Sequence, residues 1–399
     1  MQPKTSNPAL SAQTESSVKT ELTLLERTLI LHRFPKRQNE TLQAWDAGDE
    51  YLIQHIEEMA LPADSHIVIL NDHFGALCCW FADQYRVTMM SDSFIAQQAT
   101  QHNLAANQCR AITLLSTMDE VPSDADVVLI QLPKSNRHLV WQLHQLRRAL
   151  PEHIPVIGVN KAREIHTSTL KLFEQHLGTT TTSLAWKKHR LIFSQANVAH
   201  PPAVDESRTW EVDPSLLSGQ TMQLKNRANV YSGESLDLGA RFLLPHLPQD
   251  ARFQHIIDLG CGNGVLSVQL GRLNPQAQLT CVDESFMAVA SAQQNIADNL
   301  GEDRPAHCIA NNCLDGFDAQ SASLIVCNPP FHQQLAITDH IAWQMFCDAK
   351  RVLAKEGQLL VIGNRHLGYD GKLTRLFGRT QVKTVAANKK FVILQATKS

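Results

Sequence analysis

Two tandem doubly wound α/β domains, the first a degenerate copy of the second, are what this sequence predicts. Three observations lead there. Short apolar runs alternate with helix-like stretches over most of the 399 residues, as in βαβ units. A series of landmarks recurs in the same order roughly 190 residues later, a duplication and not a solenoid. Only the second copy carries a Gly-rich turn, Asp258-Leu259-Gly260-Cys261-Gly262-Asn263-Gly264, and an Asn328-Pro329-Pro330-Phe331 motif. A chain this long has room for two hydrophobic cores.

Residues 1–20 are polar, Ser/Thr-rich and without an apolar run, so they are expected to be a disordered tail, neither signal peptide nor anchor. Leu22–Leu24 and Thr28–Leu31 suggest a short hairpin, and Thr41–Met59 is helix-like. The alternation then begins. Strand Ile67–Leu70 leads to a helix from Gly75, strand Val87–Met90 to helix Phe94–Asn107, and strand Val127–Ile130 to a basic helix at Leu139–Leu150. Strand Val156–Val159 follows. Such spacing implies a parallel sheet. A Pro-containing stretch, 199–207, is the expected linker between domains 21–198 and 208–399.

In the second copy His255–Leu259 falls on His66–Leu70, Glu284–Ala288 on Asp92–Ala96, and Cys327–Pro330 on Ile130–Pro133. Trp186-Lys187-Lys188 likewise falls near Asn388-Lys389-Lys390, and Lys-Leu pairs at 171–172 and 372–373 precede each last basic strand. The glycine turn of the second copy is replaced in the first by Asn71-Asp72-His73-Phe74-Gly75, where His73 and Phe74 fill the space a ligand would need.

The formal net charge of −3 says little about partners, but its distribution is uneven. Residues 44–126 hold 13 acidic and 2 basic side chains, whereas 134–190 hold 10 basic and 3 acidic, and 350–399 hold 11 basic and 2 acidic. Two basic segments in a near-neutral chain suit a phosphate footprint, with Lys187, Lys188, Arg190, Lys389 and Lys390 as candidate RNA contacts; a solvated face competes for either alone. The nine cysteines lack CxxC pairing, which points to a reduced cytoplasmic protein with no metal site. No apolar run has the length of a membrane span, and a monomer is favoured.

Asn328, Pro329 and Phe331 follow a buried-type strand, Leu324–Cys327. The Asn328 side-chain oxygen and the Pro329 carbonyl can each accept one N–H of an amino group on a flat ring, and Phe331 offers a stacking face. With both protons held, the nitrogen lone pair leaves conjugation and is aimed at an electrophile, and no strongly shifted acid or base is needed. A Pro-Pro loop closing a strand is the bland alternative. His332 stands beside the motif as a proton acceptor or, more commonly for such residues, a structural hydrogen-bonding group.

The Gly-rich turn alone suits NAD, FAD or S-adenosylmethionine, but its spacing is GxGxG and not the GxGxxG of pyrophosphate binding. Asp258 lies where a cationic α-amino group is met. Asp283 ends the next strand and is placed for two ribose hydroxyls, and Asn312, after Ala306–Ala310, for an adenine edge or a turn. Asp92, taken as the matching place in the first copy, is expected to have no part in cofactor binding.

Asp-Leu-Gly-Cys-Gly-Asn-Gly, Val-Asp-Glu-Ser and Asn-Pro-Pro-Phe in this order resemble the class I S-adenosylmethionine-dependent methyltransferases that modify exocyclic amines. The duplicated layout resembles the RsmC/RlmG family of ribosomal RNA guanine-N2 methyltransferases. Leu-Gln-Ala-Trp (42–45), Leu-Asn-Asp-His-Phe-Gly-Ala-Leu (70–77), Ile-His-Thr-Ser-Thr-Leu (165–170), Leu-Ala-Trp-Lys-Lys (184–188), Asn-Pro-Pro-Phe-His-Gln-Gln (328–334) and Asn-Arg-His-Leu (364–367) carry that resemblance from about residue 22 onward. It implies two Rossmann-like domains, S-adenosylmethionine bound by the second alone, and the N2 amine of a guanosine in 23S ribosomal RNA as acceptor. It also implies that Tyr231-Ser232 and Leu236-Asp237-Leu238-Gly239 cover the methionine end of the cofactor, with no definite role given to Asp237. An adenine-N6 enzyme would use the same motif, as would a glutamine-N5 protein methyltransferase, which leaves the basic segments unexplained. A non-enzymatic RNA-binding protein would leave the glycine turn and Asn-Pro-Pro-Phe without purpose.

Overall fold

The computed structural model describes residues 18–37, 40–330 and 335–399. In the first copy a hairpin, β1 (Glu21–Leu24) and β2 (Arg27–Ile30), precedes α1 (Ala47–Met59). Then come β3 (His66–Leu70), α2 (Ala76–Phe81), β4 (Arg86–Ser91), α3 (Phe94–Ala106) and β5 (Thr113–Ser116). The copy ends with β6 (Val127–Gln131), α4 (Asn136–Ala149), β7 (Pro155–Lys161), α5 (Thr167–His176), β8 (Thr180–Thr182) and β9 (His189–Gln195). A second hairpin, β10 (Ser207–Glu211) and β11 (Gln223–Arg227), leads into α6 (Leu238–Leu243). The second copy continues with β12 (His255–Leu259), α7 (Val265–Leu273), β13 (Gln278–Asp283), α8 (Phe286–Leu300) and β14 (Ala306–Ala310). β15 (Ala322–Cys327), α9 (Leu335–Val352), β16 (Leu353–Asn364), α10 (Tyr369–Phe377), β17 (Val382–Ala387) and β18 (Phe391–Thr397) complete it.

Each copy builds one seven-stranded sheet, ordered β5-β4-β3-β6-β7-β9-β8 and β14-β13-β12-β15-β16-β18-β17. The parallel sheet expected from the alternation is in fact mixed. β9 runs antiparallel to β7 and β8, as β18 does to β16 and β17, because these last strands are joined by hairpins with no crossover helix. Central strands alternate their side chains between two cores. Ile67 and Ile69 enter the cluster beneath α1 and α2, while Val68 and Leu70 enter the one beneath α4 and α5. Burial on both faces explains the unbroken apolar runs. Helix α1 starts later than the Thr41 expected, because Asp46 caps it: its carboxylate accepts the Gly48 amide at 2.7 Å and the Asp49 side chain returns to the Asp46 amide at 2.8 Å.

The copies meet about a local two-fold relation. Ser93 and Ser285 form an antiparallel bridge. Phe94 N donates to the Glu284 carbonyl at 2.8 Å and Phe286 N to the Asp92 carbonyl at 2.9 Å. The Phe94 and Phe286 rings meet edge-on at 6.3 Å. Ser93 Oγ donates to the Glu284 carboxylate at 2.5 Å, and Ser285 Oγ to that of Asp92 at 2.6 Å. Equivalent residues thus contact each other reciprocally, as in an isologous dimer interface.

This contact corrects the reading of Asp92. Pairing of Leu70 with Met90 and of Leu259 with Val282 puts Ser91, not Asp92, at the place of Asp283. Asp92 is buried between the copies and accepts further hydrogen bonds from Thr117 Oγ1 (2.8 Å), Asn229 Nδ2 (2.7 Å) and Met287 N (2.8 Å).

Candidate active site

Sheet order reverses direction at β12, between β13 and β15, and the crevice at the carboxyl ends of these strands is where an open α/β sheet binds ligands. The glycine turn and Asn328 both emerge there, since Leu259 pairs with Cys327.

The turn is shaped for close approach. Gly260 has φ +78°, and Gly262 has φ +53° with open space where a Cβ would point. Gly264, at φ +79°, lies so near α8 that a Cβ would stand 2.9 Å from Ala292 Cα. The first copy keeps the equivalent skeleton: Asn71 has φ 66°, and Gly75 has φ +82° with its Cβ direction blocked by Thr100. What differs is the lining. His73 stands where Gly262 left room, and Asp72, in place of Cys261, is buried and ties the turn to itself through the Gly75 and Cys78 amides at 2.8 and 3.0 Å.

Asp258, at the end of β12, is buried. Ser267 Oγ donates to one of its oxygens at 2.5 Å, and the other has no partner among the described residues. Burial pushes its carboxyl up to about 7. A buried carboxylate with an orphan oxygen fits the cationic end of an amino-acid-bearing cofactor. Asp283 ends β13 and receives the Gly262 amide at 2.9 Å and the Ser285 amide at 3.0 Å, one on each oxygen. Burial raises its carboxyl, the two amides pull it back, and each oxygen keeps a lone pair for a hydroxyl. Asn312 is buried and braced: its amide donates to Asp315 at 2.6 Å and its oxygen accepts from Gln344 at 3.1 Å. One amide proton is left for a ligand.

Asn328 follows β15. Its Nδ2 donates to Asp237 Oδ2 at 3.1 Å, and its Oδ1 is buried without a partner among the described residues. This pairing leaves the carbonyl end of the amide as an unused acceptor. Asp237 caps α6, accepting the Ala240 amide at 2.9 Å, and the Tyr231 hydroxyl stands 3.4 Å from its other oxygen. Pro329 is buried beside Asn328. Phe331 and His332 lie outside the described residues. Asp237, which pairs with the Asn328 amide, is the residue that sequence reasoning left without a role. Its signal was an acid immediately before a short amphipathic helix, Leu238–Leu243, the pattern of an N-cap. The first copy keeps a longer version of the pair: Gln131, at the place of Asn328, donates to Asp49 in the first turn of α1.

The five basic candidates fall at matching turns. Lys187 and Lys188 join β8 to β9, and Lys389 and Lys390 join β17 to β18. Because Lys161 pairs with His189 and Asn364 with Phe391, both turns lie at the carboxyl edge of their sheet, the edge that carries Asn328. Lys389 and Lys390 are exposed. Lys187 is tied to Glu50 at 2.7 Å and lies over the Trp186 ring at 4.4 Å, and Arg190 is half-buried in β9. No helix among the described residues is long and apolar enough to cross a membrane.

Two family models match: RLMG N-terminal domain over residues 19–198, and methyltransferase small domain over 221–395. The chain is 69% identical over 382 residues to ribosomal RNA large subunit methyltransferase G of Vibrio cholerae, covering 96% of this chain and 100% of that protein. It is 60% identical over 383 residues to the protein of that name in Aliivibrio fischeri, covering 96% and 99%. Among solved structures it resembles T. thermophilus RsmC, a 16S rRNA N2 methyltransferase in complex with AdoMet and guanosine. That match has a TM-score of 0.77 and 20% identity, and covers 95% of this chain and 98% of that one, which extends the likeness of fold across both copies.

Proposed function

Since this chain belongs to the ribosomal RNA large subunit methyltransferase G family, we propose that it methylates the exocyclic N2 amine of a guanosine in 23S ribosomal RNA. The observation that carries the reading is the orphan Asn328 Oδ1, left as an acceptor by the bond of its amide nitrogen to Asp237, at the strand end beside the glycine turn. S-adenosylmethionine supplies the electrophilic methyl group when bound. Asp258 would hold its ammonium group and Asp283 its ribose, with Gly260, Gly262 and Gly264 admitting it close to the backbone.

The chain's own residues then need do little acid–base chemistry. Asn328 Oδ1 and the Pro329 carbonyl accept hydrogen bonds from the two amino N–H groups, which turns the lone pair out of the ring and toward the methyl donor; the proton that the methylated amine sheds passes to water. Asp237 fixes which end of the Asn328 amide faces the amine; a flipped amide would present N–H to N–H. Phe331, two residues beyond Pro329, is the proposed stacking face for a base taken out of its stack, a step that costs a few kcal/mol and less in an unpaired loop. The first copy has the fold without the open turn, so it is proposed to bind RNA through Lys187, Lys188 and Arg190 while Lys389 and Lys390 serve beside the site.

Incubation with labelled S-adenosylmethionine and unmodified large-subunit RNA, followed by nucleoside analysis, tests this. N2-methylguanosine at one position is expected. N6-methyladenosine, or label only in protein, would replace the reading.

A further inference from the structure

Duplication lets one copy serve as a reference for the other at a place outside the catalytic residues. In each copy the helix before the first sheet strand lies beside the terminal hairpin: α1 beside β8–β9, α6 beside β17–β18. Strand register matches Trp186, Lys187 and Lys188 with Asn388, Lys389 and Lys390. The capping residues Asp46 and Asp237 match the helices, so Glu50 and Tyr51 correspond to Arg241 and Phe242.

In the first copy the space between helix and hairpin is filled. The Tyr51 and Trp186 rings pack at 5.4 Å, and the Tyr51 hydroxyl donates to the Leu184 carbonyl at 3.1 Å. Glu50 neutralises Lys187 at 2.7 Å. In the second copy the tryptophan is replaced by Asn388, and a groove of about 380 Å³ remains open. Leu238, Phe242, Pro245, His246 and Phe391 line it. Phe242 is ring-stacked with Phe391 at 6.3 Å and meets His246 at 5.2 Å. Charge is inverted as well. Arg241 stands where Glu50 neutralises the first hairpin, and the exposed Lys389 and Lys390 lie between the lining residues Asn388 and Phe391.

From this comparison we infer that the groove is a subsite for a second nucleotide of the RNA strand that carries the methylated guanosine. Its base enters the ring-lined groove, and its phosphate meets Arg241, Lys389 and Lys390. The inference rests on the RNA reading above and extends it to a named place. An apolar slot bordered by three cations matches a flat base joined to an anion. The slot is also tied to the amine acceptor through the chain, because Leu238 in its wall follows Asp237, which holds Asn328.

Asn388→Trp copies the filling of the first domain, and Arg241→Glu copies its charge. Fluorescence anisotropy with labelled unmodified large-subunit RNA measures affinity, and calorimetry with S-adenosylmethionine verifies that the catalytic domain is intact. Asn388→Trp is expected to weaken RNA binding about tenfold by denying a base its stacking slot. Arg241→Glu is expected to weaken it similarly and to flatten its salt dependence. Cofactor affinity should stay within about twofold of wild type in both. RNA affinity unchanged within about twofold in both variants overturns the subsite. Nucleoside analysis of the same RNA with wild-type protein reports separately on the methylation reading, whose failure leaves the affinity comparison decisive for the groove.

Discussion

The carboxylate of Asp92, in the first copy, accepts the backbone amide of Met287, in the second, at 2.8 Å. Met287 lies in the first turn of α8, so the first domain caps a helix of the second. The same carboxylate holds Ser285 Oγ, two residues from Asp283, and Asn229, in the segment leading to Asp237. A single acid of the first copy thus holds residues of the second on both sides, at Ser285 and at Asn229.

Asp92→Ala is therefore expected to be felt in the cofactor site, contrary to what its sequence position suggests. Loss of several hydrogen bonds to a buried carboxylate should cost roughly 2–4 kcal/mol of stability. Thermal unfolding should show a lower midpoint, and calorimetry a weaker S-adenosylmethionine complex. Unchanged values in both would mean that the clasp is incidental.

One cofactor per chain is the second expectation. Asp283→Ala should weaken S-adenosylmethionine binding, because Ser91 and His73 give the first copy neither the ribose acid nor the open turn. A calorimetric stoichiometry of two would show that the first copy still binds.

Asp258 gives a pH prediction. Its carboxyl, raised to about 7 in the fold from 3.8, keeps a proton that the unfolded chain has released. The cofactor-free protein should therefore lose stability as pH rises from about 4 to about 7, and change little through this group above that. A cationic ligand prefers the ionised acid, so S-adenosylmethionine affinity should rise over the same window. Asp258→Asn should flatten the affinity profile and raise the unfolding midpoint of the cofactor-free protein at pH above about 7. A wild-type affinity independent of pH across that window would remove Asp258 from the cofactor's ammonium.

Much of this was legible in the sequence because period and glycine spacing are local properties. His66–Leu70 and His255–Leu259 read as buried strands from five adjacent residues. Gly262 announced an open turn by lacking a side chain. The antiparallel strands β9 and β18 were less visible, since strand direction depends on a hairpin partner and not on the strand's own composition. Asp237 and Asp92 were missed for a related reason. Their partners, Asn328 and Met287, lie 91 and 195 residues away, and no periodicity encodes such a pairing.

The proposed RNA contacts differ in their surroundings. Lys187 is paired with Glu50 and Arg190 is half-buried, so alanine at either disturbs packing as well as charge. Lys188, Lys389 and Lys390 are exposed and make the cleaner test. Replacing all three with alanine should weaken RNA binding and reduce its salt slope by roughly 2–3, with cofactor affinity intact. An unaltered slope would mark these lysines as solubilising charge.

The most direct test of the whole account is the rate of methyl transfer to RNA by Asn328→Ala under single-turnover conditions, with cofactor affinity measured alongside. Asn328 Oδ1 is predicted to hold one amino proton of the acceptor, so the rate should fall by about two to three powers of ten while S-adenosylmethionine binds as before. Asp237→Asn, which lets the Asn328 amide turn over, should show a smaller loss of the same kind. A near-normal rate in Asn328→Ala would contradict the mechanism at its centre.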